Sequence, residues 1–321
     1  MINVGIIGAA GYTAGELIRI LIHHPEVHIV LAQSESQAGK KVCDVHRDLL
    51  GETALAFKKE FHVEGLDVVF LCKGHGESRK IIDAYPELLE CKIVDLSQDF
   101  RLKGAHDFVY GLPEIHKSLI SKTKHVANPG CFATSIQLGL LPAIEADAID
   151  GNIHVSGITG STGAGQKLSD ITHFSRRSNN ASVYKPLEHQ HMLETNETLA
   201  LLDEKFSRKV LFIPYRGAFT RGIITTSHFE TQLSEQQLIE SYEAFYAKEP
   251  YTHVVSESPD LKQVVNTNKC LVYPKVIKGT AMIVSVIDNL LKGASGQAVQ
   301  NMNLQFGFNE TTGLKLKSTA F

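Results

Sequence analysis

The chain opens with a strand that runs straight into a glycine-rich turn, and this limits the folds available to it. Residues 2 to 7, Ile-Asn-Val-Gly-Ile-Ile, have the apolar character of a buried strand, and Gly8-Ala-Ala-Gly-Tyr-Thr-Ala-Gly15 follows without a spacer. Ala14, Leu17, Ile18, Leu21 and Ile22 then recur at helical spacing until Pro25, and Val27 to Ala32 supplies a second strand. Together these make a βαβ unit. Its turn lets backbone approach a pyrophosphate while the helix N-terminus offers its N–H groups, which is the functional reading of Gly8, Gly11 and Gly15. The spacing is GxxGxxxG, with Ala10 in place of the second glycine of the stricter GxGxxG pattern, so close helix–strand packing accounts for the same residues.

The alternation continues through Asp67 to Cys72, a polar turn at Gly74 to Ser78, a helix to about Tyr85, and the strands Lys92 to Leu96 and His125 to Ala127. Near-continuous apolar strands separated by helices predict a doubly wound parallel sheet of Rossmann type. After Gly130 the texture changes. A helix is expected from Cys131 to about Leu141, stopped by Pro142, followed by longer alternating strands at Asn152 to Thr159, Lys209 to Pro214, Gly222 to Gln232, Cys270 to Ile277 and Thr280 to Ile287. With few helices between them, chiefly Glu235 to Ala247, these predict an α+β domain on a largely antiparallel sheet. The last helix, Ala294 to Phe306, carries an apolar stripe of Ala298, Val299, Met302 and Phe306. By analogy with two-domain dehydrogenases it is expected to return to the first sheet. The expected division is therefore a dinucleotide-binding domain at 1–130, completed by 290–321, and a catalytic, substrate and oligomerisation domain at 131–289.

Composition removes several function classes. Thirty-two Lys and Arg against 35 Asp and Glu give a net charge of −3 without long runs of one sign, so no phosphate-backbone footprint is visible and nucleic acid is not an expected partner. No uncharged window of eighteen apolar residues occurs, and no basic segment precedes the first apolar stretch, so a soluble cytoplasmic protein without a membrane partner is expected. Five cysteines, an odd number without a CxxC pair, argue against a disulfide framework and against a zinc site. At the end of the second strand, where an NAD enzyme usually carries Asp or Glu, the chain reads Gln33-Ser34-Glu35-Ser36 with Lys40 and Lys41 beyond. Hydroxyls and ammonium groups suit the 2′-phosphate of NADP, although Glu35 counts against it and the polarity of a loop explains the same residues.

Asn128-Pro-Gly-Cys131 ends a strand in a sharp turn and puts Cys131 at the start of a helix. Unpaired N–H groups and the positive end of the helix dipole stabilise a thiolate there, making it a candidate nucleophile, whereas Cys43, Cys72, Cys91 and Cys270 read as small packed thiols. A thiolate beside a dinucleotide suits interconversion of acyl phosphate and aldehyde through a thioester. The proton donor and acceptor that this needs is offered by His189-Gln-His191. If the segment is helical, Glu188 and Glu194 lie three residues either side of His191, which favours His191 over His189, while His23, His24 and His116 read as solvated. Gly157 to Gly165 follows a strand and could present N–H groups to an oxyanion, or be only a turn. Arg101 ends another strand and suits phosphate, or pairs at the surface with Asp99 or Asp107.

These motifs together resemble one family, the N-acetyl-γ-glutamyl-phosphate reductases. The matching segments are Gly8 to Gly15, Asp95-Leu-Ser-Gln-Asp-Phe-Arg101, Tyr110-Gly-Leu-Pro-Glu114, Asn128-Pro-Gly-Cys-Phe132, Gly160 to Gly165, His189-Gln-His191 with Glu194, and Lys292-Gly-Ala-Ser-Gly-Gln-Ala-Val-Gln-Asn-Met-Asn303. Gln98 and Thr162 depart from the pattern. The resemblance implies an NADP-dependent reductase of a small acyl phosphate in arginine biosynthesis, assembled as a dimer or tetramer. It further implies Cys131 as nucleophile with a His of the pair as acid/base, and cofactor contacts from Gly8, Gly11, Tyr12, Thr13, Gly15, Ser34, Ser36 and Gly163. Arg101 and Asn128 fall to the substrate or its phosphate, and no metal is expected. Aspartate-semialdehyde dehydrogenases share the plan and the cysteine chemistry, but the Tyr110 and Lys292 segments resemble the glutamyl-phosphate branch. A short-chain dehydrogenase would need Tyr-x-x-x-Lys, which none of the nine tyrosines provides. Chemistry at the acyl carbon does not distinguish an N-acetyl from an N-succinyl substrate. Arg176, Arg177 and Lys185 are the nearby cations for a succinyl carboxylate, or belong to a solvated loop.

Overall fold

The computed structural model describes residues 1–203 and 206–319. Its contacts divide the chain into two compact units, Met1–Pro129 with Ala294–Lys315, and Gly130–Gly293 with the residues from Leu316 onward. The tail of the expected first domain thus falls with the second unit, where Asn266 Nδ2 donates to Lys317 O at 3.0 Å. Residues 320 and 321 lie outside the described residues.

The first unit runs β1 (Ile2–Ile7), α1 (Tyr12–Leu21), β2 (Val27–Gln33), α2 (Val42–Val45), β3 (Val68–Leu71), α3 (Glu77–Ala84), β4 (Lys92–Asp95), β5 (Val109–Tyr110), α4 (Pro113–Ile120) and β6 (His125–Ala127). Its six strands lie in the order β2-β1-β3-β4-β6-β5 with every pairing parallel. The chain leaves β1 for β2 on one side and returns to β3 on the other, so the strand order reverses at β1. The crevice at the carboxyl ends of strands that flank such a switch is where ligands of these sheets bind. β3 is buried at all four positions, as a central parallel strand covered on both faces requires.

The C-terminal helix, Gly296–Gln305, is buried along most of its length within this unit. Asn301 Nδ2 donates to Gly111 O at 2.8 Å, and Ser295 Oγ donates to Thr13 O at 2.7 Å. The same helix overturns the solvated reading of His24, which is only 3% exposed. Its ring lies 3.0 Å from Asn303 Oδ1, and burial lowers its pKa. The covering residue is 279 positions away, a distance no local pattern reports.

The second unit runs α5 (Cys131–Glu145), β7 (Asp150–Thr159), α6 (Phe174–Arg177), β8 (Ser182–Val183), α7 (His191–Leu202), β9 (Val210–Arg216), β10 (Ile223–Glu230), α8 (Glu235–Tyr246), β11 (Thr252–Val254), β12 (Cys270–Ile277) and β13 (Thr280–Ile287). Its seven strands lie in the order β11-β12-β13-β10-β7-β9-β8. The pairs β11–β12 and β7–β9 are parallel and the remainder antiparallel, so the sheet is mixed. α5 crosses β10, β13 and β12 and packs between α7 and α8. It is apolar nearly all round, which is the pattern of a helix with no solvent face.

α5 does not stop at Pro142 as the sequence predicts but continues to Glu145. A proline inside a helix leaves the carbonyl four residues earlier without its N–H donor. Here that carbonyl belongs to Leu138, and Tyr246 of α8 donates its hydroxyl to it at 2.5 Å, while Tyr242 donates to Gly139 O at 2.6 Å. A neighbouring helix thus satisfies the groups that the proline disturbs. Tyr246→Phe is expected to destabilise the protein by about 1–3 kcal/mol, the cost of a buried acceptor left unsatisfied. A lowered urea midpoint at unchanged slope would show it, and an unaltered midpoint would deny the hydroxyl this role.

Candidate active site

Cys131 is the first residue of α5, and Gly130, extended at φ −70° and ψ 150°, precedes it as the cap residue without a capping side chain. No acidic residue occupies the first turn, so the helix end favours a negative charge at this position. The Gly130 N–H donates to Glu194 Oε2 at 3.0 Å, which fixes the turn before the cysteine to α7. On another side Gly293 leaves no room for a side chain: a Cβ there would meet Cys131 Cβ at 2.8 Å and Asp288 O at 3.3 Å. The 288–293 turn is held by Asp288, which is fully buried, ion-paired with Arg221 at 2.9 Å, and accepts from Leu290 N at 2.8 Å. By contrast, burial pushes the Cys72 and Cys91 thiols upward and keeps them protonated, and Cys270 is buried with its Sγ 3.4 Å from Ser285 Oγ.

The two histidines belong to different environments. His189 is 5% exposed inside a box of rings, with Phe132, Tyr184 and Phe212 each 5.6 Å from it between centroids. Its Nδ1 accepts from the His191 N–H at 3.2 Å, and burial, Lys185 and Arg216 lower its pKa to about 4. His189 therefore stays neutral at physiological pH. His191 opens α7, its ring 4.7 Å from that of His189, and lies one turn before Glu194. Glu188, expected to flank His191 on the same helix, is exposed in the turn before α7, because the helix begins only at His191. That turn holds Lys185 at φ 45° and Leu187 at φ 63°, left-handed conformations that a leucine seldom adopts. β9 imposes them through Tyr184 N to Pro214 O at 3.1 Å and Leu187 N to Phe212 O at 2.8 Å.

In the first unit the glycine turn has the features of a phosphate cradle. Gly8 stands at φ +85°, and a Cβ on it would strike Cys72 C and O at 2.9 Å. Gly11, the cap of α1, meets nothing nearer than Gly8 O at 3.8 Å, so no protein neighbour demands a glycine there and the space remains for a ligand. Tyr12 and Thr13 begin α1, whose first turn holds neither an acidic residue nor a capping side chain. Gly15 serves packing instead, since a Cβ would lie 2.6 Å from His46 Nδ1. At the tip of β2, Gln33 is absorbed by the turn, accepting from Gly8 N at 3.3 Å and donating to Lys59 O at 2.9 Å. Ser34 is buried, Ser36 is exposed, and Glu35 pairs with Lys73 at 3.4 Å.

Other sequence-based candidates find different surroundings. Arg101 is neither at the surface nor paired with Asp99 or Asp107. It is 7% exposed and donates from Nε to Asn128 O at 2.9 Å and from Nη2 to Leu96 O at 3.1 Å, tying the ends of two strands together. Asp99 instead accepts from Gly76 N and Arg79 N, and Asp107 pairs with His125 at 2.8 Å. Asn128, 1% exposed, donates to Ala294 O at 3.1 Å and accepts from Asn301 Nδ2 at 3.1 Å. Those bonds tie Asn128, at the end of β6, to the segment that leads into the C-terminal helix. Gly163 lies exposed in the short helical turn Ser161–Ala164. Arg177 is not in a solvated loop: it is 7% exposed and bonds Ser182 Oγ and Asn180 O. Lys185 donates to Gln190 Oε1 at 3.1 Å, and Arg176 is exposed. Sequence reasoning missed Gly293 and Arg216, which reach the cysteine and histidine region only through tertiary packing.

Two family models cover most of the chain. Residues 3–123 match the semialdehyde dehydrogenase NAD-binding domain and residues 131–289 the semialdehyde dehydrogenase dimerisation domain. Among solved structures the chain is similar to aspartate semialdehyde dehydrogenase II of Vibrio cholerae, at TM-score 0.76 and 18% identity, covering 96% of this chain and 98% of that one. It is also similar to the Candida albicans aspartate semialdehyde dehydrogenase solved with NADP, at TM-score 0.70 and 17% identity over 95% and 98%. The fold is thus that of the semialdehyde dehydrogenases, oxidoreductases with a nicotinamide-binding domain. N-acetyl-γ-glutamyl-phosphate reductases of Bacteroides fragilis and Flavobacterium johnsoniae are 52% and 51% identical to this chain, each alignment covering both proteins completely. The chain belongs to the N-acetyl-γ-glutamyl-phosphate reductase family.

Proposed function

We propose that this protein reduces N-acetyl-γ-glutamyl phosphate to N-acetylglutamate 5-semialdehyde and phosphate with NADPH, through a thioester on Cys131. The observation that carries the reading is the placement of Cys131 at an uncapped helix start, clamped by Glu194 and bordered by the histidine turn. The Cys131 thiolate attacks the acyl carbon, the bond from carbon to the phosphate oxygen breaks, and phosphate leaves with the electron pair. The nicotinamide, when bound on the Gly8–Thr13 turn, supplies a hydride for the acyl carbon. His191 lends a proton to the carbonyl oxygen as this carbon is reduced and takes it back as the carbon–sulfur bond breaks, releasing aldehyde and restoring the thiolate. His189, kept neutral, fixes the His191 backbone and closes the site with its ring box.

NADP is preferred in this reading because the Gln33 amide, already bonded at both ends, replaces the carboxylate that would hold a ribose diol. Ser34, Ser36, Lys40 and Lys41 are then the groups for the 2′-phosphate. Residues 131–289 would build a homodimer or tetramer, and the enzyme would work in the cytoplasm. The test runs the reaction in reverse. N-acetylglutamate semialdehyde should reduce NADP only when phosphate is present, with kcat/KM for NADP about 10² times that for NAD. An N-succinyl substrate should be at least about tenfold poorer, a difference of about 1.4 kcal/mol in transition-state binding. Faster turnover of aspartate semialdehyde, or reduction independent of phosphate, would overturn the reading.

A further inference from the structure

The last residue of β9, Arg216, directs a cation toward the cysteine and histidine region without an anion to meet it. Its guanidinium carbon lies 4.7 Å above the centre of the Tyr184 ring. Burial and then charge on the Cys131 sulfur oppose ionisation of Tyr184, while Arg216 favours it through its charge and a side-chain hydrogen bond. The same cation helps hold His189 neutral. Tyr184 and His189 of the 184–190 turn therefore share the surroundings of this guanidinium, with Cys131 of α5 acting on the same tyrosine.

The Nε of Arg216 is sealed from solvent and makes no hydrogen bond. No ion pair recorded among the described residues includes it. Arg221 of the same unit is paired with Asp288, whereas Arg177, whose Nε is likewise unbonded, is held by Ser182 and Asn180 away from any residue of the cysteine and histidine region. A half-buried guanidinium that is stacked on an aromatic face, hydrogen-bonded to a tyrosine and left without a carboxylate keeps part of its planar fork unfilled, the part with which an arginine binds a carboxylate. Leaving it unfilled has a desolvation cost that an incoming anion would relieve.

We propose that Arg216 binds the α-carboxylate of the substrate and so sets the distance from that carboxylate to the carbon that Cys131 attacks. The proposal rests on the reaction proposed above, whose substrate carries a carboxylate on the carbon chain that ends in the reacting group. The other anion of that reaction, phosphate, shares the same recognition chemistry, so the experiment separates the two.

The measurement compares N-acetylglutamate semialdehyde with 4-acetamidobutanal, the same aldehyde without its carboxylate, in phosphate-dependent NADP reduction. The unaltered enzyme should favour the carboxylated aldehyde by about 10² in kcat/KM. Arg216→Leu should collapse that ratio toward one, with the loss in KM for the semialdehyde and not in KM for phosphate. Arg216→Lys, which keeps the charge but not the fork, should restore part of the ratio. If Arg216→Leu slows both aldehydes equally, the residue is structural. A rise confined to the KM for phosphate would make phosphate its ligand and overturn the assignment. Should the unaltered enzyme turn over neither aldehyde, the reaction itself is wrong, and this result is distinct from either failure at Arg216.

Discussion

Cys131→Ser should lower turnover by at least about 10³ while leaving cofactor affinity intact. Serine is close to isosteric, so α5, the Gly130 to Glu194 bond and the contact of Gly293 with the Cys131 Cβ have no reason to change. What changes is the nucleophile. A thiol at a helix start reaches its anion near neutral pH, and a hydroxyl does not. Serine would also form an oxygen ester, which is less readily reduced than a thioester. The check is a single-turnover experiment with acyl phosphate in the absence of reductant. The unaltered enzyme should release one equivalent of phosphate per site and retain a labelled acyl group, and the serine variant should do neither. Retention of more than a few per cent of turnover would require another nucleophile, and Cys72 and Cys91, whose thiols are shifted upward, are poor substitutes.

His191→Asn is expected to lower kcat by about 10² to 10⁴, the range for loss of a positioned general acid and base. His189→Asn should cost less in kcat and more in stability, because it removes a ring packed among Phe132, Tyr184 and Phe212 and an acceptor for the His191 N–H. The pH dependence separates them further. The His189 pKa falls to about 4 from the ordinary 6.5, so between these values the unfolded chain binds the proton and the folded protein does not. Its contribution to stability is therefore complete above about pH 6.5 and is lost as pH falls toward 4. Substituting His189 should flatten that part of the acid limb of the stability curve. A limb that is unaltered, or a larger loss of kcat at His189 than at His191, would transfer the proton step to His189.

The parallel sheet was legible because its strands are short, continuous and apolar, and the helices between them carry their own 3.6-residue period. β6, β12 and β13 begin and end at the residues that the sequence predicts, His125–Ala127, Cys270–Ile277 and Thr280–Ile287. The turn Asn128-Pro-Gly-Cys131 was legible for a related reason: proline and glycine restrict backbone locally, whatever surrounds them. Helix α5 marks the limit of such reasoning. Pro142 carries a local instruction to stop, and two tyrosines about a hundred positions later countermand it.

The same division runs through the candidate site. Cys131 and the histidine pair announce themselves by residue type and by position in a turn or at a helix start, so the chain alone names the chemistry. Their assignment is another matter. His189 and His191 differ by two positions and by nothing in composition; they become a buried neutral ring and a candidate proton carrier because Phe132 and Phe212 arrive from other elements. Glu194, read as a partner for His191, also accepts from the Gly130 N–H, 64 positions away, a contact that no local spacing announces. Arg101 and Asn128 have the functional groups for phosphate, and the folded chain also bonds them to carbonyls that no local pattern announces. Arg216 ends an ordinary alternating strand, and only the folded chain brings it beside Tyr184 with its Nε left unbonded. Backbone preference and hydrophobic period act over a few residues and are written in the order of the chain. Burial, hydrogen-bond partners and charge environment are sums over everything that packs nearby, and they come into existence only when distant segments meet.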